Sequence, residues 1–184
     1  YDVLGNKAQA AMLAKVGLIT HEENNLLQAA LDTIYIEVQA PDFVLPDDVE
    51  DIHSYVELLL TERIGEAGKK IHTGRSRNDQ VAVDIKLFLR AQVQEVKTDT
   101  VKLFELLVKL SNQFKDHLLP GYTHLQMGMP SSFGLWLGAY SESLVDDLEM
   151  LAAAYSITNK NPLGSGAGYG SSFPLNRTLT TQLL

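Results

Sequence analysis

The sequence predicts an all-α fold, in which a small N-terminal helical domain precedes the long helices of a central bundle. Apolar residues recur at helical spacing along most of the chain, and residues that cap helices precede several of these stretches. We find no stretch with the alternating pattern of a strand. We therefore expect residues 1–75 to form the small domain and residues 76–184 to form the first part of the bundle domain.

The first two helices are predicted from their ends. A helix from about Val3 to Val16 is followed by Gly17, a residue type suited to end it. Thr20 and Glu23 then have the spacing of a capping box. The stretch after it has apolar residues at helical spacing, at Leu26, Leu27, Ala30, Leu31, Ile34, Tyr35 and Val38. These signals predict two helices in the first 40 residues.

A loop and a third helix complete the N-terminal domain. Pro41 and Pro46 bracket the loop. The third helix is predicted from about Glu50 to Ile64, and Gly65 and Gly68 are expected to close it.

The most regular pattern starts near Ser76. From Leu89 to Phe114 the residues at intervals of four and three are apolar at seven of eight positions, namely 89, 93, 96, 100, 103, 107, 110 and 114. Such a seam is typical of a helix in a bundle or coiled coil. A helix of roughly 38 residues would be about 57 Å long, too long for a chain of this size to cover, so we expect other chains to cover the seam.

A second long helix and a glycine-rich loop follow. The helix is predicted from one apolar stripe, at Phe133, Leu137, Tyr140, Leu144, Leu148, Leu151 and Tyr155. Residues 158–173 form the loop, and Pro174 suits the first turn of a last helix. The alternating glycines from Gly164 to Gly170 do not match a nucleotide-binding pattern, so we expect their backbone to approach a ligand or a neighbouring segment.

Composition excludes several classes of protein. The net charge of −8 argues against a nucleic-acid or anionic-membrane partner, and no apolar run is long enough for a membrane span. With no cysteine, disulfides and thiolate metal sites are excluded, which fits a cytoplasmic location. No other metal-ligand spacing is evident. The start at Tyr1 and the ending without a stop signal lead us to expect a piece of a longer chain.

One segment departs from the acidic character of the chain. Residues 67–78 contain no Asp or Glu, yet they include Lys69, Lys70, His72, Arg75 and Arg77. A cationic loop suits an anion, and arginine can hold a carboxylate through two parallel hydrogen bonds. Ser76 and Asp79 resemble a helix cap, so the helix start would add backbone N–H donors. A plain helix start with solvated charges is the alternative interpretation.

Two further polar clusters are candidates. In the segment 121–126, His124 is a possible acid or base, and Thr123 and Gln126 could bind a carboxylate. Asp51 and His53 form the other cluster, although an acidic residue at the start of a helix is also common for structural reasons. On spacing alone, a structural role remains open for both clusters.

Together these segments resemble the argininosuccinate lyase family. Residues 72–80, which read His-Thr-Gly-Arg-Ser-Arg-Asn-Asp-Gln, match the family's most specific signature, and residues 121–126 match its second block. Segments 2–5, 50–53 and 162–167 also fit, in the family's order. The resemblance covers essentially the whole chain and implies membership of the fumarase/aspartase superfamily, whose all-helical homotetramers share a central bundle.

The resemblance also implies a reaction without metal or organic cofactor. Argininosuccinate would be split by β-elimination into arginine and fumarate, at sites built from three subunits. By position, His124 resembles the family's acid/base residue. The substrate-binding residues implied are Thr123, Asn78, Arg77, Arg75, Asn6 and Gln126, and the supporting residues are Asp51, His53 and Ser76.

Departures from the family pattern leave alternatives open. Asn6 stands where the family usually has a serine, and Met127-Gly128-Met129 replaces Arg-Ala-Gln. Nothing in the chain matches the family's serine-bearing third block, so we expect these 184 residues to be inactive alone. The alternatives are another superfamily lyase acting on a succinyl compound, such as adenylosuccinate or aspartate, and a non-catalytic crystallin-like structural protein.

Overall fold

The computed structural model describes all 184 residues and contains seven α-helices and one two-stranded sheet. The helices are α1 (Asp2–Lys15), α2 (His21–Val38), α3 (Ile52–Ile64), α4 (Glu66–Lys69), α5 (Arg77–Gln113), α6 (Phe133–Thr158) and α7 (Arg177–Leu183). The strands are β1 (Leu118–Thr123) and β2 (Gln126–Ser132), and a 3₁₀ turn covers Lys70–His72. The all-α fold class is confirmed. None of the helices is both long enough and apolar enough to cross a membrane.

The chain forms two compact units. Residues 1–88 and 160–184 make the first unit, and residues 89–159 make the second. The division expected at residues 75 and 76 remains a prediction about domains of the whole protein. α5 begins in the first unit and continues into the second.

The first unit has the main hydrophobic core. α1, α2 and α3 contribute fully buried side chains, including Leu13, Leu27, Leu31, Ile34 and Leu60. The predicted capping box starts α2, because Thr20 Oγ1 accepts from the Glu23 amide at 3.1 Å and the Glu23 carboxylate accepts from the Thr20 amide at 2.9 Å. The short helix α4 was not predicted. Gly68 lies within it, where the backbone passes so close to Leu60 that a Cβ would lie 2.5 Å from its carbonyl carbon.

The second unit contains most of α5, the hairpin and α6. The 37 residues of α5 confirm the predicted long helix, and α6 confirms the second one. Gly134, at the start of α6, allows close packing, because a Cβ there would lie 2.5 Å from Lys115 Cα. Apolar side chains remain exposed along both helices, among them Leu89, Val96, Leu103, Trp136 and Tyr140.

Two sequence predictions about secondary structure are wrong. Residues 118–132 form an antiparallel hairpin, although no strand was expected. These strands contain Pro120, Gly121, Gly128 and Pro130, and most of their side chains are exposed, so they lack the alternation that marks a half-buried strand. The last helix begins at Arg177, not at Pro174, because Asn176 caps it by accepting from the Leu179 amide at 2.9 Å.

Candidate active site

Arg77, the first residue of α5, holds a guanidinium at the edge of a polar cluster. Its Nη1 donates to Gln80 Oε1 at 2.7 Å and to Glu57 Oε1 at 3.2 Å, and its Nη2 donates to Ser54 Oγ at 3.3 Å. Its Nε lies 3.7 Å from Asp51 Oδ2. With 35% of the side chain exposed, the guanidinium is fixed in position and still reaches solvent. It can therefore bind an anion without first being ordered.

Glu57 contacts three cationic side chains of the segment 67–78. Its Oε1 lies 3.0 Å from His72 Nδ1, 3.2 Å from Arg77 Nη1 and 3.8 Å from Arg75 Nη2. Burial alone would raise the pKa of Glu57, but the His72 hydrogen bond and the two guanidinium charges hold that pKa below its usual value. The loop is thus less cationic than its sequence suggests.

Arg75 and Asn6 are interior residues. Arg75 Nη1 donates to Asn6 Oδ1 at 2.6 Å, and Asn6 Nδ2 donates to Asp2 Oδ2 at 2.8 Å. The Arg75 side chain is 1% exposed, and this burial lowers the pKa of the guanidinium from its usual value. That both residues contact substrate stays a prediction. Their burial favours a role in holding Asp2 and the loop in place.

His53 is linked to Arg77 through buried polar groups. Its Nδ1 lies 2.8 Å from Asp2 Oδ1, and the same oxygen accepts from Gln80 Nε2 at 2.7 Å. Because Arg77 donates to Gln80, the four residues form a continuous hydrogen-bonded chain. The hydrogen bond to Asp2 raises the pKa of His53 above its usual value despite burial.

A third acid, Asp84, also approaches this imidazole. Asp84 Oδ2 lies 3.3 Å from His53 Nδ1, and one ligand atom from each of Asp2, His53 and Asp84 fits within 4.8 Å. The spacing is short enough for a cation. However, the His53–Asp2 hydrogen bond accounts for the approach of those two groups without a metal.

The start of α5 confirms the predicted cap and anchors the glycine-rich loop. Asp79 Oδ1 accepts from the Ser76 amide at 2.9 Å, and Ser76 Oγ accepts from the Asn78 amide at 3.2 Å. Asp79 Oδ2 accepts from the amides of Gly164 at 2.9 Å and Gly166 at 2.8 Å. The glycine backbone therefore approaches a neighbouring segment, as expected. Asn78 itself is exposed.

Asp51 caps α3 beside the cluster. Its Oδ1 accepts from the Ser54 amide at 2.6 Å. Although burial opposes ionisation, the hydrogen bonds from Ser54 and the charge of Arg77 hold the pKa of Asp51 below its usual value. Asp51 is thus a structural cap and also part of the electrostatic environment of Arg77.

His124 occupies a strained turn in the second unit. Thr123 and Gln126 are paired at the end of the hairpin, and His124 and Leu125 form the two-residue connection between them. Their φ angles are +50° and +62°, a combination that usually requires Asn-Gly. All four side chains are exposed. Strain of this kind persists where the residue is needed for another reason, which makes His124 a stronger functional candidate than its sequence context suggested.

The predicted site residues are divided between the two units. The first unit contains Asn6, Asp51, His53, Arg75, Ser76, Arg77 and Asn78, and the second contains Thr123, His124 and Gln126. Sequence reasoning missed Asp2, Glu57 and Asp84 as members of the first cluster. Helical spacing would have found two of them, because Glu57 lies one turn after His53 and Asp84 lies two turns after Arg77.

Comparison with known proteins covers the whole chain. A family model described as "Lyase" matches residues 1–184. The chain is 60% identical over all its 184 residues to argininosuccinate lyase of Parabacteroides distasonis, and 45% identical to that of a Thermoanaerobacter species. It spans 41% of the length of each of these relatives.

Solved structures share the fold. EDDS lyase is 29% identical and superimposes with a TM-score of 0.88, over 98% of this chain and 35% of that protein. A fumarate lyase:delta crystallin from Brucella melitensis is 18% identical with a TM-score of 0.79, over 99% of this chain and 43% of that protein, which is a likeness of fold. Because the family model extends over every residue, the chain belongs to the lyase family.

Proposed function

We propose that the whole protein containing this chain is an argininosuccinate lyase, a carbon–nitrogen lyase of arginine biosynthesis. The observation that carries the proposal is the 60% identity to an argininosuccinate lyase over all 184 residues. The fixed, solvent-reaching guanidinium of Arg77 supports it, because the substrate is a polycarboxylate.

The reaction is a β-elimination. A base removes the proton on the carbon next to a carboxylate, and the electron pair forms the double bond of fumarate. The bond between the neighbouring carbon and the guanidino nitrogen breaks, and that nitrogen leaves with the electron pair and gains a proton to give arginine. Before the carbon–nitrogen bond breaks, negative charge builds up on the carboxylate next to the deprotonated carbon. The site therefore needs cationic groups and N–H donors near that carboxylate. We propose no metal or organic cofactor.

Residues at the start of α5 are proposed to bind the succinyl carboxylates. Arg77 supplies the guanidinium, and Asn78 supplies an exposed amide beside the positive end of the helix. An EDDS lyase variant whose structure superimposes on this chain with a TM-score of 0.88 was solved with bound fumarate. Asp51, His53 and Ser76 support these groups through the contacts described above, and Arg75 and Asn6 support them from the interior.

We propose that residues of the hairpin turn transfer the proton and make further contacts with the substrate. His124 is an acid/base residue with an exposed imidazole, flanked by the exposed polar side chains of Thr123 and Gln126. The left-handed backbone at His124 supports this assignment, because it costs on the order of 1–3 kcal/mol and gives no packing in return.

The proposed assembly is a cytoplasmic homotetramer around a shared helical bundle. Leu89, Val96 and Leu103 lie on the predicted seam of α5 and are exposed. An apolar stripe of this length favours burial against other helices. Because the chain spans 41% of its relatives and lacks the serine-bearing block, we further propose that these residues alone do not turn over argininosuccinate.

The test measures fumarate release from argininosuccinate by the full-length protein. His124→Asn should lower kcat by roughly 10²- to 10⁴-fold, the usual contribution of an acid/base group. Arg77→Lys should raise KM, because lysine cannot form two parallel hydrogen bonds to a carboxylate. His21→Asn, at an exposed position in α2, is the matched control and should leave both constants unchanged.

A substrate panel separates this function from its alternatives. Adenylosuccinate, aspartate and EDDS are offered beside argininosuccinate under the same conditions. Turnover of one of these and not of argininosuccinate would show that the protein is a different lyase. No turnover of any of them by the full-length protein would favour the structural role.

A further inference from the structure

Asp84 is a buried carboxylate that the proposed chemistry does not use. It lies on α5, two turns after Arg77, and its side chain is 12% exposed. Neither oxygen has a hydrogen-bond partner, although Oδ2 lies 3.3 Å from His53 Nδ1. Gly5 leaves room for it on the other side, because a Cβ at Gly5 would lie 3.2 Å from Asp84 Oδ1. The burial of an unsatisfied carboxylate is costly and needs an explanation.

One ring nitrogen of His53 lies close to two carboxylates. Nδ1 lies 2.8 Å from Asp2 Oδ1 and 3.3 Å from Asp84 Oδ2. Asp2 also accepts from Asn6 and Gln80, so its carboxylate is shared among three partners. With Nδ1 facing the two carboxylates, Nε2 is the ring nitrogen that can serve a ligand. Asp84 makes its one ion-pair contact with His53, and Arg75 also lies within range of its charge.

The surrounding charges determine the proton balance of this group. Asp2 comes from the start of α1, Asp51 from the start of α3, Arg75 from the loop before α5, and Asp84 from α5. Burial, followed by the charge of Asp2, raises the pKa of Asp84 to about 7. The hydrogen bond to Asp2 raises the pKa of His53. Asp84 and His53 therefore keep their protons to higher pH than they would in the unfolded chain.

We propose that Asp84 is a positioning residue of the lyase site: acting through His53, it keeps the imidazole protonated at both nitrogens, so that Nε2 presents an N–H donor to the anionic substrate. The hydrogen-bonded path from His53 Nδ1 through Asp2 and Gln80 to Arg77 places His53 in the same cluster as the proposed carboxylate-binding guanidinium. The proposal rests on the proposed function, because it assigns a task within that site.

The direct test is an NMR titration of the histidine ring nitrogens in the full-length protein. In the wild-type protein, His53 should titrate above the ordinary histidine value of about 6.5. Asp84→Asn should lower the pKa of His53 by about one pH unit, the usual effect of losing an opposite charge at this distance. Asp99→Asn, an exposed acid on the same helix, is the control and should leave the His53 titration unchanged.

An unchanged His53 titration in a folded Asp84→Asn chain would overturn the proposal. A wild-type His53 that titrates at or below the ordinary histidine value of about 6.5 would also overturn it, and that measurement needs no variant. If Asp84→Asn does not fold, Asp84→Ser removes the same charge with a smaller side chain and is titrated in its place.

Kinetics of the full-length protein separate this proposal from the proposed function. Asp84→Asn should move the alkaline limb of the kcat/KM profile to lower pH by the shift seen in the titration. A merely structural role would lower activity at every pH without moving the limb, and that result would refute the positioning role. If the wild-type protein releases no fumarate from argininosuccinate, the proposed function itself fails.

Discussion

Asp79 offers the sharpest test of how the site is held together. The side chain is 1% exposed, and its two oxygens accept three backbone N–H groups, from Ser76, Gly164 and Gly166. The substitution Asp79→Asn keeps the shape but replaces one acceptor oxygen by an NH₂ donor. Whichever way the amide is turned, at least one N–H loses its acceptor and faces another donor.

The expected cost follows from these contacts. If the amide oxygen faces the two glycines, the Ser76 amide loses a hydrogen bond to a charged group, which contributes about 1.5–3 kcal/mol, and the two remaining bonds become neutral and weaker. We expect Asp79→Asn to lower the free energy of unfolding of the first unit by about 2–3 kcal/mol. Asp79→Ala leaves all three donors without an acceptor and should cost more.

Hydrogen exchange measures the effect at the residues concerned. A loss of about 2–3 kcal/mol corresponds to roughly 30- to 150-fold faster exchange of the Gly164 and Gly166 amides. The control Asp99→Asn removes an exposed acid and should leave both amides as protected as in the wild-type chain. If both glycine amides keep their wild-type protection in a folded Asp79→Asn chain, Asp79 is not the anchor of the loop.

Three further changes test other parts of the structure. Gly68→Ala places a Cβ 2.5 Å from the Leu60 backbone, so α4 must shift, and urea denaturation should show a loss of about 2–4 kcal/mol. Leu125→Gly relieves the positive φ of an exposed residue and should stabilise the second unit by about 1 kcal/mol, seen as a higher urea midpoint by tryptophan fluorescence. The third test concerns pH. The raised pKa of Asp84, about 7, means that the folded chain binds its proton more tightly than the unfolded chain, so this stabilisation is lost as pH rises towards 7, and the raised pKa of His53 acts in the same direction. Between about pH 5.5 and pH 8, the free energy of unfolding of the wild-type chain should therefore fall by about 2 kcal/mol more than that of the Asp84→Asn chain. If the two free energies change in parallel with pH, this reasoning is wrong.

The helices could be predicted from the sequence because their signals are local. The Thr20–Glu23 capping box and the end of α1 before Gly17 depend on residues a few positions apart, and both are present in the structure. The long seam of α5 likewise repeats within one segment. The hairpin could not be predicted in this way, because Pro120 and Pro130 are paired across it and its faces are too exposed to impose an alternation of residue types.

The candidate site was predicted only in part. Arg77, Asp51 and His53 were found from residue type and from the family resemblance. Their buried partners were missed, because the contacts from Asp2 to His53 and to Gln80 join residues 51 and 78 positions apart. Contacts at such separations depend on how the helices pack, and no local pattern of one sequence encodes them.

The hairpin turn shows why strain can identify a functional residue that composition cannot. A two-residue turn with positive φ at both positions forms most readily with Asn-Gly, and either residue would remove a cost of roughly 1–2 kcal/mol per position. This chain instead has His124 and Leu125 there, and the Leu125 side chain is 98% exposed. Neither side chain recovers the cost by burial within the chain. We therefore propose that the turn is kept for what the imidazole does outside the fold, and proton transfer is the role that suits this side chain near neutral pH.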